Sequence, residues 1–148
     1  MYGKTNAIAS YGRVANTESD PVQQVVMLYD GAIRFVRLAA DDIKDGRIAD
    51  KAEHVNRALD IITYLQGILD FEHGGEVAQT LDNLYTLVSM QILQASAKLD
   101  APQMLKAAGL LVPVRDSWDI VARSVQKRSL PTATVQTEQR RLGHLVVG

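Results

Sequence analysis

Four stretches of this chain repeat apolar side chains at three- and four-residue steps, each over about 22–27 residues, with short breakers between them. That spacing puts the apolar residues on one face of an α-helix. No stretch alternates every second residue between hairpin turns, so strands are not expected. The first segment opens at Ser19-Asp20-Pro21, where Asp20 can accept from free amides and proline suits a first helical turn. It then carries Val22, Val25, Val26, Tyr29, Ile33, Val36, Ala40 and Ile43, with Leu28, Phe35 and Leu38 as a second stripe, and ends at Asp45-Gly46. The spacing predicts further helices over residues 50–73, closed by Gly74-Gly75, over 76–98, and over 102–127, where Gly109 and Pro113 predict a kink. Four such rods joined by short connections specify an all-α antiparallel four-helix bundle over residues 19–128. A leader, residues 1–18, precedes it, and a tail, residues 129–148, is expected to be mobile.

The composition narrows the chemistry. Cysteine is absent, which removes disulfides, thiolate metal sites and a cysteine nucleophile. No apolar run approaches membrane-spanning length, and Met1-Tyr2-Gly3-Lys4 opens no signal-peptide core, so a cytoplasmic protein without membrane insertion is expected. Beyond residue 120 five basic residues (Arg123, Lys127, Arg128, Arg140, Arg141) face Glu138 alone, yet no basic face with stacking aromatics appears earlier, so nucleic acid is not an expected partner. Asp70-x-x-His73 is the nearest approach to a di-iron pattern, but it sits at a helix end and the inward positions are aliphatic. His54, beside Glu53, falls on a polar face, and His73 and His144 have no triad partners that spacing recommends. Neither catalysis nor a cofactor is expected.

Apolar surface is what remains. The first three segments each carry two adjacent stripes, wider than one bundle seam requires. Packing on two neighbours can use all of it; alternatively the surplus forms a groove for an amphipathic or disordered segment of another chain. Ile61, Ile62, Leu65, Ile68, Leu84, Val88 and Ile92 are the candidate groove. In the leader, Ile8 and Tyr11 lie three apart and would face one way on a helical turn, covering such a groove or simply resting on the bundle. Trp118 is expected to be buried. An acidic middle (Glu53, Asp60, Asp70, Glu72, Glu76, Asp82, with Arg57 opposing) either steers a basic partner or is a solvated face.

Tyr11, Ser19-Asp20-Pro21 and Met27-Leu28-Tyr29-Asp30-Gly31-Ala32-Ile33 resemble the opening of the FliS family of flagellin-specific export chaperones. The resemblance continues through Ala58-Leu59-Asp60-Ile61-Ile62, Leu69-Asp70, Gly74-Gly75-Glu76-Val77-Ala78, Leu81, Leu84-Tyr85 and Leu93-Gln94-Ala95, and closes with Arg115-Asp116-Ser117-Trp118. It implies a helical bundle that binds the disordered C-terminal segment of flagellin, prevents premature polymerisation and assists delivery to the flagellar type III export apparatus, with other export components as further partners. It also implies that Ile8 and Tyr11 are the family's client-binding and capping pair. The chain departs from the family at Leu87, Met90 and Gln91, where many members carry an aromatic and two basic residues. A structural or adaptor bundle that forms a weak homodimer through its surplus face is the alternative.

Overall fold

The computed structural model describes residues 20–127 as four helices: α1 (Pro21–Lys44), α2 (Ile48–Gly67), α3 (Phe71–Lys98) and α4 (Ala101–Lys127). The bundle is all-α. Helix α1 starts as its sequence dictates, with the Asp20 carboxylate accepting from the Gln23 amide at 2.8 Å and Pro21 in the first turn. It packs most extensively on α4 and α2, while α3 makes lighter contacts with α2 and α4 and lies diagonally opposite α1. Most of the apolar surface of α1 is therefore used inside the molecule: Val22, Val26, Leu28, Tyr29, Ala32, Ile33, Val36, Ala39 and Ala40 are buried, while Phe35 and Leu38 of the second stripe are half-buried.

The junction of the second and third helices differs from the expectation. Helix α2 stops at Gly67, not residue 73, and α3 begins at Phe71, ahead of Gly74-Gly75. Asp70 is the cause. Its carboxylate accepts from the His73 amide at 3.1 Å, and its carbonyl accepts from the Gly74 amide at 2.7 Å. A capping aspartate thus starts a new helix before the glycines are reached. Gly75 then sits inside α3 at φ 50°, ψ −122°, a conformation only glycine takes readily, and bends the first turn away from the rest of the helix. At the other end of α3, Leu99 closes the helix in the left-handed region at φ 55°. Helix α4 continues as one element through Gly109 and Pro113.

Polar lacing is dense at the end holding the α1–α2 and α3–α4 turns. Asp42 is buried at 2 % exposure and accepts from Arg47 Nε at 3.0 Å, while its other oxygen pairs with His54 Nδ1 at 2.5 Å. His54 is thus half-buried rather than on a polar face, its ring stacked on Phe35 at 6.0 Å. Lys51 Nζ donates to the carbonyl and hydroxyl of Ser96, tying α2 to α3, and Gln103 donates to Gln91 and Gln94, tying α4 to α3. A buried carboxylate is tolerated here because it is both paired and hydrogen-bonded.

The core is aliphatic apart from one polar contact. Tyr29 and Tyr85 are buried, and their hydroxyls share a 2.5 Å hydrogen bond across the diagonal between α1 and α3. Burial pushes both phenols above their usual pKa, and proximity to Tyr85 adds to the effect at Tyr29. Replacing Tyr29 by Phe leaves the Tyr85 hydroxyl without this partner and is expected to cost about 1–3 kcal/mol, whereas Tyr29→Phe/Tyr85→Phe costs less than the two single changes together. Because the folded phenols titrate above the unfolded value, this contribution is complete below about pH 10 and declines above it as unfolded tyrosine ionises. Denaturant titrations at neutral pH and at about pH 10.5 check both points.

Candidate functional site

The α3 stripe Val77, Leu81, Leu84, Val88, Ile92, Ala95 has one register but two environments. Val88, Ile92 and Ala95 are sealed, Leu81 and Leu84 are partly buried, and Val77 is 67 % exposed. The bundle opens along this line. At the end where α1 and α3 begin and α2 stops, the helices enclose a groove of about 380 Å³. Val22, Val25 and Leu28 form one wall, Tyr64, Leu65, Ile68 and Leu69 another, and Val77, Ala78 and Leu81 a third. Tyr85 and Trp118 also line it. The early stop of α2 and the bend at Gly75 create the opening: neighbouring backbone that would cover Ile68 and Val77 ends or turns away before reaching them.

Most of the residues expected to form a groove are spent elsewhere. Ile61, Ile62, Leu65, Val88 and Ile92 are buried in the main core, and Leu84 is partly buried against it. Of the expected set, only Leu65 and Ile68 line the groove, and Ile68 is the exposed one, at 49 %. Ile8, Tyr11 and the 129–148 tail lie outside the described residues. Trp118 is half-buried rather than buried; it packs against both apolar clusters and presents an edge to the groove. Val25, Leu28, Leu69, Val77 and Leu81 belong to the apolar stripes but were not expected in the groove, and Pro21, Tyr64 and Ala78 lie outside the stripes, because periodicity gives a face but not where the neighbouring helix ends.

The rim is acidic. No lysine or arginine occurs between Arg57 and Lys98, a stretch containing Asp60, Asp70, Glu72, Glu76 and Asp82. Asp70 lines the groove together with His73, whose Nδ1 lies 2.7 Å from the Asp70 carboxylate. The capping bond from the His73 amide, reinforced by its ring, holds the Asp70 carboxyl below its usual range. Among the described residues no group of three His, Asp or Glu side chains could hold a metal ion, and no helix is long and apolar enough to cross a membrane. Separately, Leu87, Met90 and Leu93 form an exposed apolar patch on the outward side of α3.

Substituting Gly75 by Ala would force a side chain into a positive-φ conformation at a site with open space around the Cβ. The expected cost is about 1–3 kcal/mol, arising from strain rather than crowding. Thermal unfolding measures it, and apolar-dye binding reports the expected change at the groove mouth.

The family model "Flagellar protein FliS" matches residues 4–125. A flagellar secretion chaperone FliS of Vibrio cholerae is 37% identical over 102 residues, covering 68% of this chain and 74% of that protein. One of Salmonella typhimurium is 32% identical over 118 residues, covering 76% of this chain and 87% of that protein. One of Bacillus subtilis is 26% identical over 122 residues, with 82% and 90% coverage.

Proposed function

This chain belongs to the FliS family, and on that premise we propose that it is a cytoplasmic flagellar secretion chaperone acting through its open groove. Its client is the disordered C-terminal segment of flagellin, which it keeps from polymerising early and helps deliver to the flagellar type III export apparatus. The protein works by binding and not by catalysis. The observation that carries this reading is the apolar groove itself, whose lining includes two exposed apolar side chains, Val77 of α3 and Ile68 at the end of α2. A disordered client loses conformational entropy when it orders, so it needs a continuous apolar surface to bind well. Each client side chain seated in the groove contributes about 1.5–3 kcal/mol through burial.

Ile8 and Tyr11 belong to this reading as the leader's contribution, covering the groove when it is empty or joining the client when it is filled. Asp70 in the lining favours a client with a basic residue near its anchors. The alternative, an adaptor bundle that pairs with itself, draws on the outward Leu87, Met90 and Leu93 patch. Light scattering distinguishes the two: a dimer whose size ignores the flagellin peptide favours the adaptor.

Calorimetry with a flagellin C-terminal peptide tests the proposal. The expected result is one-to-one binding with a negative heat-capacity change. Val77→Asp and Ile68→Asp are expected to weaken binding by about tenfold or more, the equivalent of losing one seated apolar side chain, with little change in melting temperature because both side chains are exposed. Absence of binding, or binding indifferent to these changes, would overturn it. Deleting residues 1–18 should raise apolar-dye binding at unchanged helix content; unchanged dye binding argues against the cap.

A further inference from the structure

We propose that a second part of this chain, the C-terminal segment Arg140–Val147, docks on the mouth of the groove beside Asp70 and there competes with the client. The competition rests on the client reading above; the docking does not. Three observations place the segment within reach. Helix α4 ends on the open side of the bundle, where Ala122 packs against Val22 and Val26 of α1 and Trp118 lines the groove. From Lys127 back to the level of Trp118 is about 13 Å along the helix. Residues 128–139, when extended, span up to about 40 Å, so Arg140 can return to the mouth without straining the chain.

Charge favours that destination. Arg140-Arg141 immediately precedes Leu142, and Leu145-Val146-Val147 follows, so the segment combines basic and apolar side chains. The groove offers an apolar lining at Val77 and Ile68 with the Asp70 carboxylate beside it, in a stretch with no lysine or arginine from Ala58 to Ala97. Asp70 pairs with His73, and Asp45, Glu53, Asp30 and Asp119 elsewhere on the described surface pair with arginine, so the docking arginines would share Asp70 with a histidine rather than displace an arginine. The family match ends at residue 125, so the segment lies outside the part of the chain that resembles its relatives.

Trp118 is the chain's one tryptophan and lines the groove, so its fluorescence reports occupancy. The test uses the full chain and compares acrylamide quenching in the native protein with Leu142→Asp/Val146→Asp and with Arg140→Glu/Arg141→Glu. The expected result is stronger quenching in both variants, a similar rise for the native protein at high salt, and reversal in the variants when a synthetic peptide of residues 137–148 is added. Flagellin-peptide affinity in both variants should tighten about two- to fivefold, the change expected when an internal competitor occupies half to four-fifths of the molecules. Unaltered quenching in both variants overturns the docking. So does quenching that responds only to Ile8→Asp/Tyr11→Asp, which makes the leader the occupant, or that depends on protein concentration, which makes a second copy the occupant. If quenching responds while the flagellin peptide fails to bind, the docking stands and the client reading falls; the converse result removes the docking alone.

Discussion

The hydrogen bond between the Tyr29 and Tyr85 hydroxyls is the point around which this bundle is organised. It is a polar contact within the aliphatic core cluster, and it joins the two helices that face each other diagonally. On one side of it, toward Ala95, the stripes of the four helices interlock and exclude water. On the other side, toward Val77, α1 and α4 stay packed through Val22, Val26 and Ala122 while α2 and α3 leave the groove open. Tyr85 is thus both a buried residue of α3 and part of the groove's lining. An apolar pair at these positions would fill similar volume without specifying the alignment of α1 and α3, because hydrophobic contact is not directional.

The architecture was legible because the period of the apolar residues repeats over each helix and the breakers are strong. Pro21 with Asp20, and Asp45-Gly46, marked the ends of α1 where the structure has them. The α2–α3 junction was misread for a specific reason. Leu65 and Leu69 continue the α2 stripe past Gly67, and Gly74-Gly75 offers an obvious stop, so the period ran on through an aspartate whose capping bond ends it. A residue such as Asp70 can flank a helix on either side, and only the hydrogen bond to His73 decides which. His54 was assigned to a polar face by the same logic, since a stripe argument sends polar residues outward and carries no information about a buried partner such as Asp42.

The site was legible as a kind of surface but not as a place. That the chain has more apolar surface than one seam needs follows from stripe width; the structure spends this surplus on α1 internally and leaves it open on α2 and α3. Ile61 and Val88 have the same pattern as Ile68 and Val77 in the sequence, yet the first two are buried and the second two are not. What separates them is the length of each neighbour and the bend at Gly75, which are properties of the assembled bundle. The FliS resemblance located the leader pair more narrowly than periodicity did, and it is carried by the same M-L-Y-D-G and G-G-E-V-A segments that supply Tyr29 and Gly75.

The clamp formed by Asp42, Arg47 and His54, with Lys51 tied to Ser96 beside it, makes the molecule resemble a pair of tongs held at the handle. With the pivot fixed at that end, the 24 residues of α1 act as a lever of about 36 Å. A swing of about 3° would part the tips by about 2 Å over that length, roughly the difference between admitting a valine and admitting a leucine or phenylalanine. Because Val22 and Val26 pack on Ala122 near the tips, such a swing would carry α1 and α4 together while the knot at the handle stays tied.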